Sequence, residues 1–255
     1  MKKSRRILVF GHRGSPDRAV ENTIPSFLAA VEDGADGVEM DVQLSADERV
    51  VVFHDEDLSR LAGDPAQVRT LTLAELQSRE LHVGSLPPGR IPALEEVLDA
   101  LPPEIIVNVE LKGFPPAPDG LEAAVVGILA RRGRIEQVII SSFNPVRLRT
   151  TRRIEPRLKT AFIHAGSLSA SPNRTLFRLA GPVDGLHPHF RLVDESYLAA
   201  AWERGRFVNT WTVNEEVDMR RMIDLGVDGI FSDRPAVLRR VVGRLPAGKA
   251  PVRRE

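Results

Sequence analysis

The chain predicts an α/β fold, a (β/α)8 barrel with a small insertion after the second strand and its hairpin. Three observations carry that expectation. Short apolar runs alternate with helix-period patterns along most of the 255 residues, and eight strand-helix units in about 250 residues is the arithmetic of a closed parallel barrel. An Asp-Gly pair opens three of the runs, at Asp36-Gly37, Asp184-Gly185 and Asp228-Gly229, as a weak internal repeat. Two runs, the first of these and Val107 to Lys112, carry polar residues at every second position. That suits strands covered by helices outside and lining a lumen inside.

Taken in order, Ile7 to Phe10 reads as a short buried strand ending in Gly11-His12-Arg13-Gly14. Asn22-Thr23 followed by Pro25 then starts a helix running to about Asp33. Strand Gly37 to Val42 follows. Val50 to His54 comes too soon for a parallel crossover, so it turns back as an antiparallel hairpin. A turn at Asp47-Glu48 pairs 46 with 49 and sets Asp41 opposite His54, although that turn lacks the glycine that fixes a tight register. Residues Glu56 to Arg90 hold more leucines than a plain loop and read as a small cap over the mouth, with 55–92 as the insertion. Later strands are expected at Ile105 to Leu111, Val138 to Ser141, Thr160 to Ile163, Gly185 to Pro188, Phe207 to Thr212 and Gly229 to Ser232. Helices are expected at Ala93 to Leu101, Leu121 to Arg132, Val146 to Arg153, Ser196 to Arg204 and Glu215 to Leu225. The whole chain, 1–255, reads as one domain, with 246–255 as a disordered polar tail.

Composition narrows the class. Hydrophobic residues make up 42% of the chain, enough for a sizeable core, while 35 basic and 35 acidic residues leave no global field for nucleic acid or a membrane surface. The absence of cysteine excludes disulfides, thiolate chemistry and cysteine zinc sites. The basic start, Met1 to Arg6, is followed by an apolar run far too short for a signal peptide, and no stretch approaches the ~20 residues of a membrane span. A soluble, cytoplasmic protein without stable membrane insertion is expected.

The chemistry gathers at strand ends. In Gly37-Val38-Glu39-Met40-Asp41-Val42, Glu39 and Asp41 share one side, and in Val107-Asn108-Val109-Glu110-Leu111-Lys112 the polar residues again share one side. A strand with one face in water explains such alternation, and so does a divalent cation held by hard carboxylate oxygens. In a barrel these residues point to the lumen, where unpaired charge is costly, which favours a shared ion or ligand. If the Asp-Gly steps are equivalent, Glu39 and His187 share one level, and Asp41, His189 and Asp233 the next, toward the mouth. The set Glu39, Asp41, Glu110, His12, His54, Arg13 and Lys112 suits a phosphodiester: a Lewis acid, two cations and an acid/base pair. There is no HExxH helix for a zinc peptidase.

These motifs, in order, resemble the glycerophosphodiester phosphodiesterase family. They are Gly11-His12-Arg13-Gly14 with Glu21-Asn22-Thr23, Glu39-Met40-Asp41-Val42-Gln43-Leu44-Ser45, Val51-Val52-Phe53-His54-Asp55, Asn108-Val109-Glu110-Leu111-Lys112, Trp211-Thr212-Val213-Asn214, and Gly226 to Pro235. The resemblance implies a TIM barrel, a bound Mg2+ or Ca2+, and hydrolysis of glycerophosphodiesters to sn-glycerol 3-phosphate and an alcohol. It also implies that His12 and His54 are the general acid/base pair, that Glu39, Asp41 and Glu110 hold the metal, and that Arg13 and Lys112 contact phosphate. Trp211 matches a mouth aromatic, for which barrel packing is the competing role, and His187 reads as a substrate contact or a polar strand end. Ser45 and Glu48 depart from the family's usual Thr and Gly in the hairpin turn. Two other functions fit the same residues: a lysophospholipase D that lays a lipid tail on the apolar insertion, Leu58 to Leu86, and a barrel that binds phosphate esters without turnover.

Overall fold

The computed structural model describes residues 6–113, 119–166 and 181–243. Its strands run β1 (Leu8–Gly11), β2 (Gly37–Leu44), β3 (Val50–Val52), four short strands β4 to β7 (Asp57–Leu58, Asp64–Gln67, Glu80–Leu81, Gly89–Arg90), β8 (Ile106–Leu111), β9 (Val138–Ser142), β10 (Lys159–His164), β11 (Gly185–Pro188), β12 (Phe207–Thr210) and β13 (Gly229–Ser232). Eight of them close into a parallel barrel, because β1 pairs with β2 on one side (Phe10 with Gly37) and with β13 on the other (Leu8 with Gly229). The strand candidates read from periodicity all fall on these strands, as do the five later helices on Leu94–Ala100, Leu121–Arg131, Pro145–Ile154, Glu195–Trp202 and Glu216–Leu225. Besides two short helices in the insertion, Ser59–Ala62 and Leu73–Gln77, one helix of the described residues is not anticipated, Pro235–Gly243. Its signals were present: proline at the first position and buried Leu238 and Val241 three residues apart.

Alternation along the strands sorts the two faces. Val38, Met40 and Val42 of β2 and Val107, Val109 and Leu111 of β8 turn outward into the main core with Phe27, Leu94 and Val125 from the helices. Their neighbours Glu39, Asn108 and Glu110 therefore face the lumen. The Asp-Gly repeat has a common physical role at the opposite end. Asp36, Asp184 and Asp228 each accept a hydrogen bond through Oδ2 from the preceding barrel strand, from the N–H of Val9, Thr160 and Val208 at 2.9, 2.8 and 2.8 Å. The glycine that follows makes room for an aromatic ring in the lumen: a Cβ on Gly185 would lie 2.2 Å from the Phe207 ring, and one on Gly37 2.6 Å from Phe10.

The hairpin corrects one expectation. β2 and β3 are antiparallel, but Val42 pairs with Val52 and Leu44 with Val50, and the Phe53 N–H donates to the Asp41 carbonyl at 2.9 Å. Asp41 thus faces Phe53, not His54. The loop has three residues, Ala46 to Glu48, closed by Ser45 N–H to the Arg49 carbonyl at 3.0 Å, with Glu48 in the left-handed region at φ 57°. This three-residue geometry, with its last residue in the left-handed well, replaces the two-residue turn and moves the register by one.

Beyond the hairpin, the segment that begins at Asp57 builds two small sheets, β4 with β5 and β6 with β7. Leu58, Leu61, Val68, Leu76 and Leu81 form a second core with Val20, Val51, Phe53 and Ile91. The expected tail, 246–255, lies outside the described residues.

Candidate active site

The loop after β1 is a tight turn that throws two side chains into the mouth of the barrel. Arg13 takes φ 56° and Gly14 φ 93°, and a Cβ on Gly14 would meet Ser26 at 2.4 Å, so the loop lies flat on the start of the helix Ile24–Glu32. The Arg13 N–H donates to Glu39 Oε2 at 2.9 Å, its Nη1 donates to Glu21 Oε1 at 2.8 Å, and its Nε stands 3.2 Å from Asp41 Oδ2. Asn22, also left-handed, donates through Nδ2 to Asp41 Oδ2 at 2.9 Å. Just after β8, Lys112 Nζ donates to Glu110 Oε1 at 2.9 Å and lies 3.4 Å from Asp41 Oδ1.

The two histidines are anchored alike. His12 Nδ1 meets Asp233 Oδ1 at 2.7 Å and His54 Nδ1 meets Asp55 Oδ1 at 2.6 Å, so each ring has its Nδ1 occupied by a carboxylate and its Nε2 left for other work. Their environments differ. Burial works against charge on His12, but Asp233 and Glu39 outweigh it and hold its pKa above the ordinary 6.5. Burial, with the charges of Arg13 and Lys112, pulls His54 below that value against the opposing pull of Asp41 and Asp55.

His12, Arg13, Glu39, His54, Glu110, Lys112, His187 and Trp211 all line one cavity of about 180 Å3, with Asp41 buried directly behind. The ladder register did not place His54 there. It stands beyond the end of β3, in coil, where the alternation of a strand no longer fixes its direction. His187 is a neutral floor residue: burial lowers its pKa to about 3, and its ring packs 5.0 Å from Phe231. Trp211 lines the wall edge-on to Phe143 while its indole N–H donates to the His187 carbonyl at 2.8 Å. Packing and cavity-lining are both its work.

A family model, glycerophosphoryl diester phosphodiesterase, matches residues 12–237. The chain belongs to this family. A glycerophosphodiester phosphodiesterase from Caldanaerobacter subterraneus subsp. tengcongensis is 35% identical over 235 residues, covering 91% of this chain and 96% of its own. Among solved structures, a phosphodiesterase from Oleispira antarctica in complex with the product sn-glycerol-3-phosphate superposes with a TM-score of 0.79 at 28% identity, over 92% of this chain and 96% of that one. A glycerophosphodiester phosphodiesterase from Thermotoga maritima gives 0.75 at 28% identity, over 92% and 98%.

The donor set of this family member fits a divalent cation. Glu39, Asp41 and Glu110 each offer an oxygen, all within 4.8 Å of one another. That spread matches a hard ion with oxygens about 2.4 Å away on either side. The electrostatics agree. Burial beside Asp41 and Glu110 raises Glu39 to about 8, and burial beside Asp41 raises Glu110, whereas Asp41 is held low against burial by Lys112, Arg13 and His54. Arg13 is shared with Glu21 and Lys112 bridges Asp41 and Glu110, so the three clustered carboxylates still repel one another, and a divalent cation would relieve that repulsion.

Sequence reasoning sets Asp233 at the level of Asp41, toward the mouth, but reads neither it nor Asp55 as a carboxylate behind the rings. Asp55 and Asp233 both stand inside the quoted motifs, and their adjacency to His54 and to a strand end was the available signal. Arg60, which holds Asp55 and Glu21 together, and Phe143 carried none.

Proposed function

We propose that the protein is a divalent-metal-dependent hydrolase that cleaves glycerophosphodiesters to sn-glycerol 3-phosphate and an alcohol, with Mg2+ or Ca2+ held by Glu39, Asp41 and Glu110. One juxtaposition carries the proposal: two imidazoles anchored at Nδ1, three clustered carboxylates and two cations around one cavity. When bound, the cation supplies Lewis-acid polarisation of a phosphoryl oxygen.

The chain's own residues do the rest. Arg13 and Lys112 neutralise the phosphate and orient it. His54, kept neutral, accepts through Nε2 the proton of the attacking hydroxyl, from water or from the substrate hydroxyl beside the ester. As the bond from phosphorus to the alcohol oxygen breaks, His12, kept protonated, gives its Nε2 proton to the departing oxygen. If the substrate hydroxyl attacks, a cyclic phosphate forms, and the two rings exchange roles when water opens it. The partners support this split of roles: Asp55 is shared with the Arg60 cation, while Asp233 is hydrogen-bonded by the neutral Asn214 amide at 2.6 Å.

Trp211 and Phe143 form the wall against which glycerol or the alcohol packs, and 55–92 forms the rim within a single domain. The buried state of Leu58, Leu61, Leu76 and Leu81 supports a small diester over a lipid tail, since these leucines are used in their own core. Among the described residues no helix is long and apolar enough to cross a membrane. The cytoplasmic setting belongs to the same proposal.

A panel of glycerophosphodiesters and lysophosphatidylcholine, run with EDTA and then with Mg2+ or Ca2+, tests the function. Release of glycerol 3-phosphate that EDTA abolishes and one of the ions restores is expected. No release under any ion would favour the non-catalytic binder, and activity on the lysolipid alone would favour lysophospholipase D.

A further inference from the structure

Arg60 stands on the helical turn Ser59–Ala62 of the insertion, and its guanidinium is divided between two carboxylates from distant parts of the chain. Nε donates to Asp55 Oδ2 at 2.7 Å, while Nη1 and Nη2 donate to Glu21 Oε2 and Oε1 at 3.0 and 2.7 Å. Each acid has a second partner in the cavity. Asp55 holds His54 through its other oxygen, and Glu21 holds Arg13, which stands against Asp41. A continuous chain of charges thus runs Asp41, Arg13, Glu21, Arg60, Asp55, His54 around one side of the mouth.

An isolated surface ion pair contributes little, because water screens it and two long side chains lose freedom. This one differs in geometry. The Arg60 side chain is 46% exposed, but the Glu21 and Asp55 side chains it grips are only 15% and 24% exposed, and the planar fork spans both with three donors. Lysine offers a point charge in place of that fork.

We propose that Arg60 is a positioning residue for the reaction, fixing the His54 ring through Asp55 and the Arg13 guanidinium through Glu21, and sharing the Asp55 charge so that His54 meets the substrate as a base. The inference rests on His54 being the base in the proposed function. It makes the insertion part of the catalytic apparatus, since one of its side chains sets the charge on a carboxylate that touches the ring. The charged groups around His54 are Asp55 beside it, Asp41 of β2, Arg13 of the loop after β1, and Lys112 after β8. Removing Arg60 leaves Asp55 to act on the ring with its whole charge. That adds to Asp41 and favours the imidazolium.

The test compares Arg60→Gln and Arg60→Lys with the parent, as full chains. Imidazole NMR titration of His54 gives its midpoint without substrate or metal, and kcat/KM against pH gives the same group in turnover. Arg60→Gln is expected to raise the midpoint by about half a pH unit or more and to carry the acid limb of the profile upward with it. Arg60→Lys, which keeps the charge and loses the fork, is expected to leave the midpoint near the parent value and to lower kcat at least several-fold. An unmoved His54 midpoint in Arg60→Gln overturns the proposal whatever the activity. If Arg60→Gln does not fold, Arg60→Lys decides, and kcat within twofold of the parent overturns it. A parent chain inactive on every glycerophosphodiester would sink the proposed function while leaving the midpoint comparison readable.

Discussion

Asn22 and Asp41 are locked by a reciprocal pair of hydrogen bonds: Asn22 Nδ2 donates to Asp41 Oδ2 at 2.9 Å, and the Asp41 N–H donates to Asn22 Oδ1 at 3.2 Å. Asn22 takes φ 58° to make them, a left-handed backbone that asparagine and glycine tolerate better than other residues. Both residues are buried, so the second bond leaves no orphan at the backbone of a proposed metal ligand. Asn22→Gly keeps the backbone and loses the amide, and is expected to cost about 1–3 kcal/mol of stability. Asn22→Ala adds the backbone strain, roughly 1 kcal/mol more. Both should weaken divalent-cation affinity to a similar degree, as seen by titration calorimetry. Equal urea midpoints for the two variants would show that the left-handed backbone carries no cost.

With Glu39 as a proposed metal ligand, its raised pKa is expected to make cation binding depend on pH. With its carboxyl at about 8 in the metal-free chain, it carries a proton at pH 6 that a cation must displace. Affinity is therefore expected to rise as pH climbs toward 8 and to level off above it, by up to about tenfold per pH unit for one displaced proton. Thermal unfolding reads the same linkage: added Mg2+ or Ca2+ should raise Tm more at pH 8 than at pH 6. Glu39→Gln, which has no proton to release, should bind weakly and lose this pH dependence. Calorimetry in buffers of different ionisation enthalpy counts the proton directly.

In the roles proposed for them, the two histidines predict a bell-shaped rate. His54 must be neutral and its pKa lies below 6.5, so the rate falls on the acid side as it takes a proton. His12 must be protonated and its pKa lies above 6.5, so the rate falls on the alkaline side as it loses one. His12→Ala and His54→Ala are each expected to lose about 10^2 to 10^4 in kcat while still binding the cation. Asp233→Asn removes the charge that favours the His12 imidazolium. It should bring the alkaline limb down in pH and leave the acid limb in place, and a profile unchanged on both sides would remove Asp233 from the account.

Period-two alternation made the barrel wall legible, because Glu39, Asp41, Asn108 and Glu110 each sit between apolar neighbours that the helices cover. Alternation stops at the end of a strand. His54 lies past Val52, so no count along the ladder could aim it, and it reaches the cavity although the register counted for it was one residue out. The partners that tune the rings were hidden for another reason. Asp233 approaches His12 from 221 positions away and Arg60 approaches Glu21 from 39 positions away, and only the closure of the barrel and the folding of the insertion bring them together. Local propensity reads neither.

The hairpin turn offers a change that touches stability alone. Glu48 is exposed, holds φ 57°, and makes its turn hydrogen bond through its N–H, donated to the Ser45 carbonyl at 3.1 Å. Its side chain has no role in closing the loop: Ser45 Oγ accepts from the Arg49 N–H at 3.0 Å, and Asp47 Oδ1 accepts from the Leu73 N–H at 2.9 Å. Glycine adopts this backbone without the clash of a Cβ, at the expense of greater freedom in the unfolded chain. The strain relieved is about 1–2 kcal/mol and the entropy lost offsets part of it, so Glu48→Gly is expected to stabilise the protein by about 0.5–1 kcal/mol. Because Asp41 and Phe53 keep their register, kcat and KM should be unchanged. Urea unfolding checks the sign, and a destabilised Glu48→Gly variant would mean that the left-handed residue at the hairpin tip is not strained.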